Sequence, residues 1–412
     1  MIYLKNNFRN DVIMFLLLGV SAIPYIDSNK ILTTLIAIFL GILFFFSKNQ
    51  KIDNELFYIC IAILICVFFQ SVIFSYFKLI TILGLILKVL TAFFAIKLLN
   101  EKFIDYYLRL MVFFSIVSLV IFIPIFIHPS LLDTIINATP SFLSYQYELW
   151  GFQVDNKTLI IYNLMEETGL LRNNGPFWEP GAFGGFLIIA LMFNTVRKST
   201  LLNKTNWLFF VTIISTQSTT AYLAVFAFIF CYLLFQNYSM GVKSLLIILG
   251  VAGLIAFQKI PFLGAKIKDE NENAQNAIET KGGDTRIASA ILDWDDIKRY
   301  PLTGRGIWPE TRVDKKFEYV IRNNGFTNFL AEWGIFLCII YFFYYYKGFK
   351  IFCMEHKSNK FMPFIILGII WVVSFSENYF GLPFFWALVF LDIPFGNKYH
   401  KKNLNYPLTQ SS

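Results

Sequence analysis

The sequence has little charge: aspartate, glutamate, lysine and arginine make up only 15% of its 412 residues, with three histidines and five cysteines. His128, His356 and His400 lie far apart, and no cysteine–histidine spacing resembles a metal site, so a zinc or iron centre is not expected. The cysteines fall inside apolar runs or beside a basic loop, which is not the pattern of a disulfide framework. The scarcity of polar groups therefore points away from a soluble domain.

The sequence has instead long apolar runs. Apolar residues make up 57% of the chain and come in continuous stretches near the length, roughly 20 residues, that crosses a bilayer. Much of the net charge of +8 lies in short loops beside these runs, which favours orientation in a membrane over a nucleic-acid partner. The predicted fold class is all-α: a polytopic membrane helix bundle forming a single membrane domain over 1–412.

About twelve spans are predicted. The run Trp207–Phe235 is too long for one ordinary span, and the polar stretch Ser215–Thr220 interrupts it, so we divide it into two short helices. This layout puts both termini in the cytoplasm, concentrates lysine and arginine in the short inner segments and leaves two long loops outside, 128–180 and 259–323. The predicted spans are Val12–Ile26, Ile31–Phe46, Leu56–Phe77, Leu79–Leu99, Tyr106–Ile127, Gly181–Val196, the two halves of Trp207–Phe235, Ser244–Phe257, Gly325–Tyr346, Phe361–Ser376 and Leu382–Phe395. Lys88, in the middle of the fourth, is expected to face the bundle interior or a wet cavity.

The second outer loop contains an amphipathic pattern. Ile287, Ile291 and Trp294 recur at helical spacing, which predicts a helix on the membrane surface, capped by Asp284 or Thr285. Its Asp293-Trp294-Asp295-Asp296 segment contains the Asp-x-Asp pattern of metal-dependent glycosyltransferases. In this helix, however, the acidic residues are expected on the solvated face, and no metal site is predicted.

The stretch from Leu171 to Phe186 is rich in glycine and proline. Pro180 predicts the start of a helix, which places Glu179 at its N-terminus, where the helix dipole favours a carboxylate or a bound phosphate. Gly181, Gly184 and Gly185 leave the helix surface bare. Two readings stay open: close packing of another helix, or close approach of a ligand.

Several arginines are predicted near the outer membrane surface, and arginine binds phosphate through a planar fork of donors. The alternative is that they bind ordinary anionic head groups or pair with acidic residues of the loops, such as Glu166 and Glu167. The arginines are Arg172, Arg286, Arg305, Arg312 and Arg322. Four aromatic residues suit either stacking on sugar rings or anchoring at the interface: Tyr145, Tyr147, Trp150 and Trp308.

Two segments together resemble a known superfamily. The first resembles the segment entering a central span of bacterial O-antigen and capsule repeat-unit polymerases of the Wzy type. It reads Arg172-Asn173-Asn174-Gly175-Pro176-Phe177-Trp178-Glu179-Pro180-Gly181. A second set of residues is similar to the shared region of the O-antigen ligase and polymerase superfamily. The set comprises Arg286, Tyr300-Pro301-Leu302-Thr303-Gly304-Arg305-Gly306, Asn323-Asn324-Gly325 and Glu332-Trp333-Gly334. Ligases carry a histidine where this chain has Asn323, which favours a polymerase.

The resemblance implies a GT-C-like fold and a metal-independent, inverting glycosyl transfer without a cofactor, on the periplasmic face of the bacterial cytoplasmic membrane. Donor and acceptor would be glycans linked to undecaprenyl pyrophosphate, within membrane lipid, and a chain-length regulator protein is a further candidate partner. Arg172, Arg286 and Arg305 would stabilise the leaving pyrophosphate. Glu179 is the candidate base, or else it orients an arginine. The candidate substrate-binding residues are Trp178, Gly181, Arg305, Asn323 and Asn324.

Two other functions stay open at this point. A ligase of the same superfamily would hand the glycan to lipid A core or to a protein. A polysaccharide repeat-unit flippase or other transporter would suit twelve spans and Lys88. The long outer loops argue against the transporter, because transporters usually gather their essential polar residues near the bilayer midplane.

Overall fold

The computed structural model describes residues 2–47, 51–149, 152–165, 171–258, 272, 286–312 and 322–396. The fold is mostly helical and includes one small antiparallel sheet. Contacts group the chain into two compact units, and we describe each by itself. The first unit comprises residues 1–51, 87–222 and 382–412, and the second comprises 52–86 and 223–381.

The helices are, in chain order, α1 (Ile2–Ala22), α2 (Pro24–Asp27), α3 (Lys30–Phe46), α4 (Asn54–Phe74), α5 (Leu79–Leu99), α6 (Phe103–Ile127), α7 (Ser130–Ala138), α8 (Pro180–Lys198), α9 (Lys204–Thr216), α10 (Thr219–Leu234), α11 (Met240–Gln258), α12 (Arg286–Arg299), α13 (Pro309–Arg312), α14 (Gly325–Glu355), α15 (Met362–Ser374) and α16 (Pro383–Val389). The strands are β1 (Ser144–Leu149), β2 (Phe152–Thr158) and β3 (Asn163–Leu164).

Helix α8 is the centre of the first unit. It begins at Pro180, as predicted, because proline suits the first helical position, and it ends with the basic pair Arg197 and Lys198, which suits the negative pole of the helix. Every residue from Ala182 to Val196 is buried. A helix that is apolar on all sides is expected in a core, and α8 packs against α6 and α9.

The first outer loop contains a sheet, so the all-α prediction is wrong there. Strand β1 pairs antiparallel with β2, and β2 pairs with β3. The physical reason is the alternation of polar and larger residues in Ser144–Leu149, a period of two that suits a strand. Lys157 on β2 ties the sheet to α7, because its Nζ donates to the carbonyls of Ile136 and Thr139, both at 2.8 Å, at the helix C-terminus.

Helix α14 organises the second unit. It packs against α12, α15 and α4. The helix is broken at Gly334, whose φ of 67° is left-handed. The break interrupts the predicted span and leaves backbone groups that need partners from elsewhere in the unit.

Four described helical segments are long and apolar enough to cross a membrane: Asn54–Phe74, Leu79–Ile127, Pro180–Lys198 and Gly325–Glu355. Shorter apolar helices accompany them, and α3 and α4 expose large apolar side chains such as Phe46 and Phe68, as lipid-facing helices do. These features indicate a membrane protein, whereas the number of spans and the sidedness stay predictions.

Two smaller predictions about the spans have definite outcomes. The division of Trp207–Phe235 is confirmed, because Gln217 has a left-handed φ of 48° between α9 and α10. Lys88 does not lie in the bundle interior, and its alternative place, facing a wet cavity, stays a prediction. It is exposed on α5, where its charge acts on the Asp27 carboxylate.

Candidate functional site

The segment 171–177 lies on the break between α9 and α10. The Arg172 Nε donates to the Thr216 carbonyl at 3.2 Å, and the Asn173 backbone N–H donates to the Ser215 carbonyl at 3.1 Å. In return, Gln217 Nε2 donates to the Leu171 carbonyl at 3.0 Å. The last carbonyls of a helix have no partner within it and carry the negative pole of its dipole, so they suit an arginine. The polar break thus anchors the segment, and we call this arrangement the Arg172 site.

The small sheet holds the same segment. The backbone N–H of Asn163 on β3 donates to the Gly175 carbonyl at 2.7 Å, and its side-chain Nδ2 donates to the Phe177 carbonyl at 3.1 Å. Tyr145 on β1 completes the arrangement, since its hydroxyl donates to Asn163 Oδ1 at 2.9 Å. Tyr145 is therefore a buried part of the sheet rather than a sugar-stacking or anchoring residue.

Glu179 is the N-cap residue of α8, as predicted. Its backbone is extended, and its side chain makes no capping hydrogen bond to the first turn. Trp178, Glu179 and Gly181 are all half-buried beside this helix start. Their roles in binding or catalysis stay predictions.

Gly184 lies where α8 packs closely against the start of α10. A Cβ at Gly184 would lie 2.7 Å from the Cβ of Ala221, in the first turn of α10. The residue is needed for close packing of two helices, and this favours the packing interpretation at that position.

Arg286 opens α12 and contacts the connection between α15 and α16. Its Nε donates to the Ser376 carbonyl at 3.1 Å, and its Nη2 lies 3.8 Å from Glu377 Oε1. The Glu377 side chain is only 4% exposed. Among the described residues, Nη1 of Arg286 has no partner, and the side chain keeps part of its surface open. The predicted caps Asp284 and Thr285 lie outside the described residues.

The segment Asn323-Asn324-Gly325 contacts both α12 and the connection between α15 and α16. The Asn323 backbone N–H donates to Ser289 Oγ on α12 at 3.1 Å. Asn324 caps α14, because its Oδ1 accepts from the Thr327 backbone N–H at 3.1 Å. A Cβ at Gly325 would overlap the Glu377 carbonyl, so glycine permits the close approach.

The structure therefore places three of the predicted residues, Arg286, Asn323 and Asn324, around α12 and the connection that carries Glu377. We call this arrangement, with Ser376 and Glu377, the Arg286 site. The Nδ2 of Asn324 is buried and has no hydrogen-bond partner among the described residues. A buried donor without a partner is costly, so this atom is a natural contact for a bound oxygen.

Arg305 lies in a neighbouring ion cluster that comprises Asp293, Asp296, Arg305, Arg312, Arg322 and Glu332. Its Nη1 donates to Asp296 Oδ1 at 2.6 Å and its Nε to the Thr311 carbonyl at 2.7 Å. Arg312 Nη2 contacts Asp293 Oδ1 at 2.7 Å, and Arg322 lies 3.5 Å from both aspartates. These three arginines therefore pair with acidic residues, which was the second of the two expectations for them. Substrate binding by Arg305 stays a prediction.

The expectation that the acidic residues of α12 form its solvated face is wrong for two of them. Asp293 is fully buried and Asp296 nearly so, whereas Trp294 and Asp295 are exposed. The reason is that guanidinium groups compensate the buried charges. Burial raises the pKa of Asp293, and the charges of Arg312 and Arg322 oppose that shift. Burial also lowers the pKa of Arg322.

The turn 301–306 closes the break in α14. Backbone N–H groups of the turn donate to the carbonyls of Ala331 and Glu332, at 2.8 and 3.1 Å. Gln70 on α4 adds a bond from Nε2 to the Glu332 carbonyl at 2.8 Å. The two motifs, 301–306 and the segment ending at Gly334, are therefore two halves of one structural element, which we call the Gly334 interlock.

Replacing Gly334 with alanine is expected to destabilise the protein. The residue has φ of 67°, and a Cβ there would overlap the Leu302 carbonyl, so strain of about 1–3 kcal/mol adds to the overlap. We expect a lower melting temperature of the detergent-solubilised protein. Gly368→Ala is the matched control, because a Cβ at Gly368 meets nothing within 4 Å. Equal melting temperatures for the two variants would contradict the interlock.

Sequence reasoning missed Glu377 and Gln70. A sequence feature could have drawn attention to each of them. Glu377 is the one charged residue in the short connection between the last two predicted spans, and Gln70 is an amide within an apolar run. Trp308 was assigned to stacking or anchoring, but it is fully buried and packs against Tyr76, with ring centroids 5.7 Å apart. Trp150, Glu166 and Glu167 lie outside the described residues, as does the side chain of Tyr147.

Metal binding has no obvious place in the part of the chain that the structure describes. No group of three or more histidine, cysteine, aspartate or glutamate side chains is arranged there to hold an ion. Asp293 and Asp295 of the Asp-x-Asp pattern point to different surroundings, one buried among guanidiniums and the other exposed.

The fold and sites define a class: a helical membrane protein with half-buried arginines at helix ends and in an ion cluster. Residues 205–342, which are 138 of the 412, match the family model described as O-antigen ligase. The match supports membership of the O-antigen ligase and polymerase superfamily, whose members are glycosyltransferase-like enzymes. It includes Arg286, Arg305, Asn323 and Asn324. No curated protein and no solved structure is significantly similar to the chain.

Proposed function

We propose that the protein polymerises oligosaccharide repeat units linked to undecaprenyl pyrophosphate into O-antigen or capsular polysaccharide. The growing glycan is transferred, with inversion, to a terminal hydroxyl of a new lipid-linked unit on the outer face of the cytoplasmic membrane. The observation that carries the proposal is the Arg286 site, where a guanidinium is anchored along one edge and leaves Nη1 without a described partner.

Arginine suits the chemistry of this transfer. Breaking the bond between sugar and pyrophosphate develops negative charge on the leaving group, and positioned donors in a partly dry site stabilise such charge. Arg286 presents Nη1 for this purpose, and the Nε of Arg172 is bonded to the Thr216 carbonyl at the end of α9, which holds its side chain. Arg305 has two of its nitrogens occupied by Asp296 and Thr311, so we assign it the role of anchoring the turn 301–306.

The acceptor hydroxyl needs a base. Glu179 is the candidate, because it stands at the start of α8 next to the segment that carries Arg172, and its side chain is not used as a helix cap. Asn324 supplies a buried amide donor to a substrate oxygen at the Arg286 site. Asn323 stands where the ligases of the superfamily carry histidine, which supports polymerisation over ligation.

A deletion strain tests the proposal against its alternatives. Loss of a polymerase is expected to leave surface lipid with a single repeat unit, because ligation and transport continue. The ligase is the second candidate, since the matching family model is described as O-antigen ligase; its loss would leave bare lipid A core. Repeat units trapped inside the cell would identify a flippase. Either of the last two phenotypes would overturn the polymerase proposal.

Purified protein provides the direct assay. With one defined lipid-linked repeat unit and EDTA present, we expect a ladder of longer glycans, because arginine rather than a metal ion would stabilise the leaving group. Complete dependence on an added divalent cation would contradict the metal-independent mechanism. A Glu179→Gln variant in the same assay is expected to lose activity if Glu179 is the base.

A further inference from the structure

Glu377 is a buried carboxylate placed beside the guanidinium that we assign to the lipid pyrophosphate. Its Oε1 lies 3.8 Å from Arg286 Nη2, and its side chain is almost fully buried. At this separation the pair interacts as charges rather than through a hydrogen bond, because the distance exceeds normal hydrogen-bond length. The orientation of Arg286 comes instead from the Ser376 carbonyl, which accepts from Nε at 3.1 Å.

The position of Glu377 is fixed by its neighbours. Its carbonyl accepts from the Tyr379 backbone N–H at 3.0 Å and lies against Gly325 at the start of α14. The next residue, Asn378, donates from Nδ2 to the Arg322 carbonyl at 2.8 Å. The backbone of Glu377 is therefore fixed against the start of α14, and its carboxylate lies beside the Arg286 guanidinium.

A negative charge at this place works against anion binding. Two unit charges separated by several ångströms in a partly buried site interact strongly, because little solvent screens them. The carboxylate compensates Arg286 in the absence of substrate and repels a phosphate bound to it. The lipid carrier must leave after every transfer, and a site that binds the pyrophosphate too tightly would hold the product.

We infer that Glu377 acts through Arg286, whose affinity for pyrophosphate its charge limits, so that the lipid pyrophosphate product is released in each cycle. The inference rests on the proposed function and assigns Glu377 no contact with the reacting atoms. It concerns a residue outside the segment that matches the family model.

Binding of farnesyl pyrophosphate to the full-length protein in nanodiscs tests the inference. Glu377→Gln keeps the size of the side chain and removes its charge, and we expect the Kd to fall about tenfold, which corresponds to 1.4 kcal/mol. Glu377→Asp keeps the charge and should retain an affinity near that of the native protein. Arg286→Ala should weaken binding. Farnesol, which has no phosphate, controls for changes in lipid binding.

Turnover gives a second readout that a purely structural role would not produce. In the glycan assay Glu377→Gln is expected to lower both KM and kcat, because tighter binding slows product release. Glu310→Gln is the control, since Glu310 is a half-exposed carboxylate near Lys78, in the loop 259–323 that also carries Arg286.

Three results would overturn the inference: unchanged or weaker binding of farnesyl pyrophosphate by Glu377→Gln, equal tightening by Glu377→Asp, or no effect of Arg286→Ala on binding. The equal effect of Asp and Gln would indicate lost packing rather than lost charge. The proposed function fails separately, if Arg286→Ala leaves the ladder of glycan lengths intact in cells.

Discussion

Arg286→Ala is expected to reduce glycan transfer by roughly 10²–10³-fold, the loss typical of removing one preorganised donor from a developing negative charge. The guanidinium is held by Ser376 and faces Glu377, so its removal deletes the donor and leaves a buried carboxylate without this partner. The measurement is the initial rate with a defined lipid-linked repeat unit, accompanied by the glycan ladder of cells that carry the variant. Arg286→Lys should recover only part of the rate, because an ammonium lacks the planar fork.

Arg299→Ala is the matched control for this experiment. Arg299 lies at the other end of the same helix and is exposed. Its replacement removes the same charge from the same loop, and near-normal activity is expected. If both variants lost activity equally, general attraction of anionic lipid would explain the effect better than a defined arginine site.

Asp293→Asn is expected to destabilise the protein by about 3–5 kcal/mol, as the breaking of a buried ion pair does. Asp293 is fully buried and contacts Arg312 at 2.7 Å, with Arg322 at 3.5 Å and the Thr327 hydroxyl, which donates to Oδ2 at 2.7 Å. An asparagine would leave the two guanidiniums undercompensated. The measurement is thermal unfolding of the detergent-solubilised protein, read as the midpoint at a fixed scan rate.

Asp295→Asn provides the comparison within the same helix. Asp295 is half-exposed, and its described ionic contact is Lys298 at 4.0 Å, so an effect within about 0.5 kcal/mol is expected. A similar loss of stability in both variants would mean that the net charge of α12 matters rather than the ion cluster.

Local chemistry made several elements predictable. Pro180 marks the start of α8 because its ring fixes a helical φ, and the hydroxyl and amide side chains of Ser215–Thr220 mark the end of α9. Arg286 was selected through motif resemblance, and it opens α12. These features depend on residues within a few positions of one another, so the sequence contains enough information to place them.

The partners across the chain could not be predicted in the same way. Glu377 meets Arg286 across about 90 residues, and the ion cluster joins α12 to α13 and α14. Periodicity reports which face of a helix is polar, but not whether a polar residue meets water or a guanidinium; Asp293 was assigned to the wrong surroundings for that reason. The sheet was missed because three short strands between long apolar runs contribute a weak pattern.

The interlock at Gly334 has a consequence for biogenesis. Its partners, Gln70 and the turn 301–306, both precede Gly334 in the chain and are synthesised first. Unpaired backbone groups are costly in a bilayer. We therefore expect the broken part of α14 to enter lipid only when other groups of the chain bond to its free backbone carbonyls. A preceding turn provides these groups as the helix emerges. We therefore expect this element to assemble in the order of synthesis, and a chain with the turn moved after the helix would have to insert α14 with its backbone groups unpaired.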